Sequence, residues 1–265
     1  MRGNFTNTPL LIGEWEASPQ QTETAARWKY FDFFVRTATK YNTATIIWDN
    51  GDGIFDRTAH QPRDPIALQI YQNAAGNDEN SLPDSTEDGS TSQFTSAYIF
   101  HKVWDNITDT TLPFLFNGNT LEHVLWNDAA LSPIDDYILY NDTTITFKAD
   151  FLTKIFNTRA PGIRANLTVS FNTNDLALQA VQWDMPMLGL PNVNGTGSKA
   201  KPGSDLRIPI TWTGLHRLAA VRAVKSDGGY LVDDWTQWLP PLQEGRLVSY
   251  VCILSRDDTA EADDT

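Results

Sequence analysis

The sequence is poor in cysteine, in basic residues and in long apolar runs. Cys252 is the only cysteine among 265 residues, which excludes an intrachain disulfide and a cysteine-based metal site. The apolar run at residues 9–12 is far shorter than the ~20 residues of a membrane span. The chain carries 20 Lys and Arg against 33 Asp and Glu, a net charge of −13. Nucleic acids and membranes are therefore not expected partners, because both select basic surfaces.

The acidic excess is concentrated in two stretches, residues 76–92 and 257–265, and the rest of the chain is close to neutral. A near-neutral protein suits an uncharged partner. An apolar content of 41% and an aromatic content of 11% exclude a wholly disordered chain. Asn-x-Ser/Thr sequons occur at Asn4, Asn106, Asn141, Asn166 and Asn194. Although we see no signal peptide, these sequons favour an extracellular protein.

Residues 1–75 show the pattern of two strand–helix units. The predicted elements are a buried strand at 9–13, a helix at 20–41 capped by Ser18-Pro19, a buried strand at 43–48, and a helix from Asp64-Pro65 to Gly76. This order predicts a parallel sheet with right-handed crossovers. Because two strands rarely form a stable sheet alone, we expect Trp28, Phe31 and Ile70 to leave an exposed apolar surface that promotes aggregation.

The rest of the chain has mainly β-type alternation. Residues 76–92 are predicted to be an acidic linker. Residues 93–185 predict an immunoglobulin-like sandwich, with one hairpin around Asn117-Gly118-Asn119 and another around Asn141-Asp142. Residues 186–256 predict a second β-rich module, followed by an acidic tail at 257–265. The expected architecture is therefore multidomain.

Candidate site residues follow the first two strands. Glu14 and Trp15 follow one strand, and Trp48, Asp49 and Asn50 follow the other. Ligands of parallel α/β folds bind at the carboxyl ends of strands. A carboxylate beside an indole suits sugar chemistry, because the ring stacks on a pyranose while the carboxylate stabilises an oxocarbenium-like centre. The alternative is that Glu14 is a solvated loop acid.

These residues resemble the end of a glycoside hydrolase family 5 cellulase. The similarity lies in residues 10–15, 26–31, 47–51, Asp56-Arg57 and Asp64-Pro65. It implies that residues 1–75 are the last two β/α units of a (β/α)8 TIM barrel. It also implies that Glu14 is the nucleophile of a retaining mechanism and that Trp48 lines the sugar subsite. Asp49 and Asn50 match a loop that reaches sugar hydroxyls.

The resemblance also implies that the catalytic machinery here is incomplete. The family's acid/base glutamate follows an asparagine in an earlier strand, and we find no equivalent Asn-Glu pair in this chain. The chain alone is therefore expected to be inactive. It also carries Glu16 where many members have glycine, and we expect that side chain to face water.

The later modules resemble parts attached to such cellulases. Residues 93–185 resemble X2-type immunoglobulin-like modules, in which most aromatic residues belong to the core. Residues 186–256 are similar in position and length to carbohydrate-binding module family 46. There, Trp235 and Trp238 are spaced to stack on successive glucose units, or alternatively to pack between modules.

The sequence thus predicts part of a monomeric, modular β-glucan hydrolase that acts on cellulose or a xyloglucan-like polymer. Neither a cofactor nor a metal is expected, since the four histidines show no ligand spacing. The alternative is a non-catalytic carbohydrate-binding or spacer protein.

Overall fold

The computed structural model describes residues 8–19, 22–49, 53–86, 94–188, 210–214 and 226–228. Residues 1–184 form one compact unit and residues 185–265 a second. The first unit contains β1 Leu10–Trp15, α1 Thr24–Lys40, β2 Thr43–Ile47, β3 Phe55–Asp56, β4 Gln61–Pro62, α2 Pro65–Gly76, β5 Leu82–Pro83, β6 Tyr98–Lys102, β7 Thr110–Leu115, β8 Leu121–Trp126, β9 Ala129–Ala130, β10 Tyr137–Tyr140, β11 Thr144–Phe147, α3 Ala149–Ile155, β12 Gly162–Phe171 and β13 Asp175–Trp183. The described part of the second unit contains β14 Met187–Leu188 and β15 Ile210–Thr211.

The first part of the chain forms the β-α-β-α unit that its pattern predicts. Strands β1 and β2 pair in parallel. Helix α2 begins after the side-chain cap of Asp64 and ends at Asn77, which adopts a left-handed conformation. Helix α1 starts later than predicted. The side chain of Glu23 accepts hydrogen bonds from two backbone amides of the first turn, so Glu23 replaces Ser18 as the cap.

Both predicted strands are covered on one face only. On β1 and β2, the side chains of Ile12 and Ile47 pack against the core. Leu11 and Ile46, which alternate with them, are 60% and 52% exposed. The prediction of two buried strands is therefore wrong for one face of this sheet.

Residues 94–183, together with β5 at Leu82–Pro83, form a sandwich of two sheets. The strand orders are β10-β11-β7-β5 and β6-β13-β12-β8-β9. Alternate residues of β12, such as Leu167 and Val169, are buried, as expected of strands with one face on a core. The hairpin β10–β11 is confirmed, and its turn residues Asn141 and Asp142 both have positive φ.

The other predicted hairpin is wrong. The turn at Asn117-Gly118 does form, with Asn119 N donating to Phe116 O. However, β7 and β8 on either side of it belong to different sheets. The sequence thus predicted the turn correctly. The turn leads from one sheet to the other, because the pairing of strands depends on tertiary contacts and not on the turn alone.

The structure differs from the predicted linker over residues 80–85. Asn80 and Ser81 are fully buried, and Leu82 belongs to the core. Asn80 Nδ2 donates to Asp32 Oδ1 on α1 at 2.7 Å. Two hydrogen bonds join Ser81 to Asn174 beside β13. This segment therefore fastens the helices to the sandwich.

The helix face expected to be exposed is covered, in part by Trp15 of β1, whose ring centroid lies 5.0 Å from that of Phe31. Trp28, Phe31 and Ile70 are all buried and share one apolar core with the sandwich. The expectation that these three side chains are exposed is therefore wrong, whereas aggregation of residues 1–75 in isolation stays a prediction. Exposed apolar side chains lie on the opposite face of β1 and β2.

Most of the predicted second β module, including Trp235 and Trp238, lies outside the described residues. What is described there is the antiparallel pairing of β14 with β15. Within the described ranges, no helix is both long and apolar enough to cross a membrane. In the same ranges, no three His, Cys, Asp or Glu residues gather as a metal site.

Candidate functional site

A β-bulge near the end of β1 determines which way Glu14 faces. Ile12 pairs with Thr45 and Trp15 pairs with Ile47, so Gly13 and Glu14 together oppose one residue of β2. Such an extra residue re-aims the side chains beyond it. Strict alternation from Ile12 would turn Glu14 towards the helices, whereas in the structure Glu14 is exposed. The bulge therefore presents this carboxylate on the open face of the sheet.

The same bulge turns Trp15 into the core. Its side chain is 6% exposed and stacks on Phe34 with a centroid distance of 4.3 Å. Phe31 lies 5.0 Å away on another side. This placement does not support the expected stacking of Trp15 on a sugar, because no open ring face remains.

Trp48 follows the last residue of β2. Its amide donates to the carbonyl of Trp15 at 3.0 Å, which ties the ends of the two strands together. The indole is 47% exposed and follows Ile46, two residues earlier, on the open face. The open face of β1 and β2 thus carries Leu11, Glu14, Ile46 and Trp48.

Asp49 is engaged by its own loop. Its Oδ1 accepts from Ile54 N at 3.2 Å, and Oδ2 lies 3.7 Å from a guanidinium nitrogen of Arg57. The side chain therefore shapes the loop after β2, which differs from the expectation that it reaches sugar hydroxyls. Asn50 lies outside the described residues.

Glu16 turns inwards, so the expectation that it faces water is wrong. Its Oε1 is buried without a hydrogen-bond partner and lies where a side chain at Gly53 would clash with it. Burial raises the pKa of the Glu16 carboxyl, nearby Arg27 lowers it, and Asp49 raises it. The Glu16 side chain thus points towards Gly53, whereas Glu14 is exposed.

Arg27 anchors the segment that follows β1. It is 1% exposed, its Nε donates to Ala17 O at 2.6 Å, and it forms an ion pair with Asp64. The same carboxylate accepts from Trp28 Nε1 at 2.9 Å and from Ala67 N at 2.9 Å. This network connects the segment after β1 to both helices and so supports the position of Glu14.

Chemically, the open face offers one carboxylate, that of Glu14, and one indole, that of Trp48. Retaining glycoside hydrolysis needs a second carboxyl group about 5–5.5 Å from the first. The other acids of these two strand ends, Glu16 and Asp49, face Gly53 and the loop of Ile54, respectively. Of these three carboxyl groups, only that of Glu14 is exposed on the open face.

The described structure thus joins a parallel strand pair with an exposed glutamate to a β-sandwich through a common core. Residues 93–179 match the family "Carbohydrate binding domain X2". The chain is similar to Endoglucanase B of Paenibacillus lautus, with 28% identity over 227 residues, which are 83% of this chain and 36% of that protein. It thus spans about a third of the length of this curated relative.

Solved structures show the same likeness. A tri-modular family 5 (subfamily 4) endo-β-1,4-glucanase from Bacillus licheniformis, in complex with cellotetraose, matches with a TM-score of 0.72 and 27% identity over 93% of this chain and 44% of that one. The tri-modular endo-β-1,4-glucanase B of Bacillus halodurans matches with a TM-score of 0.67 and 22% identity over 88% of this chain and 40% of that one, which supports the fold alone. The resemblance to a family 5 cellulase with an X2 module is confirmed. The similarity of residues 186–256 to family 46 stays a prediction.

One exposed aromatic residue was not selected from the sequence as a site residue. Trp104 follows β6 and is 67% exposed, although most aromatic residues of a sandwich belong to its core. Its position directly after a buried Val103, at the end of a strand, is the signal that could have identified it.

Proposed function

We propose that this chain is part of a modular β-1,4-glucan hydrolase, in which residues 1–75 complete a (β/α)8 barrel and the later modules contact the polysaccharide. The observation that carries the proposal is the open face bearing Glu14 and Trp48, on a strand–helix unit that shares a core with the X2-type sandwich. The likeness to endo-β-1,4-glucanases over most of this chain supports it. Such an enzyme would act outside the cell on cellulose or a xyloglucan-like glucan.

In the complete enzyme, Glu14 would attack the anomeric carbon and form a glycosyl–enzyme intermediate. A glutamate from another part of the barrel would protonate the leaving oxygen, and Trp48 would hold the sugar by stacking. By itself the chain lacks this acid/base partner. We therefore propose that it binds glucan as a monomer without cleaving it.

The decisive experiment measures reducing sugar released from mixed-linkage glucan, xyloglucan and carboxymethyl cellulose by the purified chain. The matched control is Glu14→Gln, which keeps the size of the side chain and removes its charge. We expect no release from either protein. Release by the native chain that is lost in Glu14→Gln would refute the proposed dependence on a missing acid/base.

A second experiment separates glucan binding from a spacer role. The full chain and its Trp235→Ala/Trp238→Ala variant are mixed with insoluble cellulose, and the unbound fraction is measured. Retention of the native chain supports the binding function, and reduced retention of the variant assigns part of it to the last module. A native chain that stays in solution with cellulose, xyloglucan and mixed-linkage glucan favours the alternative, a structural spacer.

A further inference from the structure

Trp104 is exposed and held in an unusual backbone conformation. It lies in the turn after β6, is 67% exposed and has a φ of 81°. A bulky residue in this left-handed region is a genuine outlier. Residues held in such conformations cluster at active sites and ligand clamps. The neighbouring Val103 is buried, so the turn is anchored while the indole projects outward.

Arg159 fixes the indole from one side. Its guanidinium carbon lies 4.2 Å from the centre of the Trp104 ring, within the range of a cation–π contact. Arg159 comes from the segment between α3 and β12, so two separate parts of the chain build the pair. With two thirds of its surface in water, the indole keeps an open face next to a guanidinium that can donate several hydrogen bonds.

The turn that carries Trp104 also contributes to a polar cleft. The cleft has a volume of about 200 Å³, and Lys102, Asp105 and Asn106 are among the residues that line it. At one wall, His101 stacks on Phe156 with a centroid distance of 4.9 Å. A lysine, a carboxylate and an amide offer donors and acceptors in similar number. Such a lining fits a neutral polyhydroxylated ligand better than a phosphate, which would meet the negative charge of Asp105.

A pyranose needs two kinds of contact, and the turn of Trp104 carries an exposed indole next to residues that line the cleft. An aromatic face packs against the apolar C–H face of the sugar, and fixed polar groups bind its hydroxyls. We propose that Trp104, held by Arg159, is a stacking platform for a β-glucan chain on the X2-type module. The inference rests on the proposed function and adds the binding surface on this module, separate from the open face of β1 and β2.

The test compares binding of cellohexaose by calorimetry and of insoluble cellulose by depletion. It uses the full chain carrying Trp104→Ala, Trp104→Phe or Arg159→Ala, each alone and combined with Trp235→Ala/Trp238→Ala. Tyr140→Ala is the matched control, since Tyr140 is an aromatic residue of the other sheet that is 64% exposed. Thermal unfolding checks that every variant is folded.

We expect Trp104→Ala to raise Kd about three- to tenfold, with a smaller rise for Trp104→Phe and Arg159→Ala and none for Tyr140→Ala. In NMR spectra, the indole N–H signal of Trp104 is identified by its absence from the Trp104→Phe variant. This signal should shift when cellohexaose is added to the native chain, which tests the contact in the unmutated protein. If the native chain binds but Trp104→Ala binds equally well in both backgrounds, the platform is refuted and the proposed function stands. If the native chain binds neither probe, both proposals fail.

Discussion

Replacing Arg27 with methionine should destabilise the unit formed by residues 1–184 by about 3 kcal/mol. Removing one partner of a buried ion pair costs about 3–5 kcal/mol, because the remaining charge is left uncompensated. The low end applies here, because the Asp64 side chain is 17% exposed and keeps Trp28 Nε1 and Ala67 N as donors. Methionine retains much of the apolar packing of the arginine stem, so the loss reports on the polar network.

Three further variants separate the effect of charge from that of hydrogen-bond geometry. Arg27→Lys keeps the positive charge but lacks the planar guanidinium that binds Ala17 O and Asp64 at once. Its loss of stability should therefore be smaller than that of Arg27→Met, at about 1–2 kcal/mol. Asp64→Asn keeps an acceptor for the α2 cap but leaves a guanidinium buried without its counter-charge. The double variant Arg27→Met/Asp64→Asn should therefore lose less than the sum of the single losses.

The assay is urea-induced unfolding of the full chain, with hydrogen exchange of peptides from α1 and α2 to localise the change. Arg27→Met should accelerate exchange in both helices, because the network spans them. The reasoning is refuted if Arg27→Met lies within 1 kcal/mol of the native chain, or if the two single losses simply add.

Three other predictions follow from individual surfaces. The double variant Leu11→Thr/Ile46→Thr should aggregate less than the native chain, as measured by light scattering. Because both side chains are largely exposed, the free energy of unfolding should change by less than about 0.5 kcal/mol. Unchanged light scattering would exclude this face as the cause of aggregation. Burial lowers the pKa of the His101 imidazole and Asp105 partly opposes this, so the unfolded state takes up a proton first and stability falls as pH drops below about 6.5. His101→Gln should lose less stability than the native chain between pH 7 and pH 5 in thermal scans, and an equal loss would contradict the assignment. Trp104→Asn should stay within about 0.5 kcal/mol of the native stability, because relief of the left-handed strain offsets the lost cation–π contact; a loss above 1 kcal/mol would indicate a structural role instead.

Local signals in the sequence predicted the elements that local interactions determine. Asp64 and Pro65 place the start of α2 through a side-chain cap and a fixed φ, whereas the left-handed residue that ends the helix is Asn77, one residue after the predicted stop at Gly76. The order of strand and helix periods predicted the parallel pairing of β1 and β2. The Asn141-Asp142 turn predicted the hairpin β10–β11, because both residues tolerate positive φ.

The features that sequence reasoning missed depend on distant contacts or on a single inserted residue. Asn80 and Ser81 look like linker residues by composition, but they are buried because Asp32 and Asn174 supply their hydrogen bonds from far along the chain. Gly13 and Glu14 look like part of a regular strand, although one extra residue reverses every later side chain. A glycine inside a strand often marks such a bulge, so Gly13 was the available signal for the inward turn of Trp15.

The buried polar segment also explains how two parallel strands persist in this chain. A two-stranded sheet is marginal in water, and here its covered face rests on α1 and α2. Those helices are fixed in turn by Asn80, which bonds to Asp32 on α1 and to the carbonyl of Ile70 on α2. Because Asn117 donates to the carbonyl of Asn80 at 2.8 Å, the sandwich holds the same segment from its other side. The X2-type sandwich therefore stabilises the strand ends that carry Glu14 and fixes their orientation, a role that a freely tethered module could not fill.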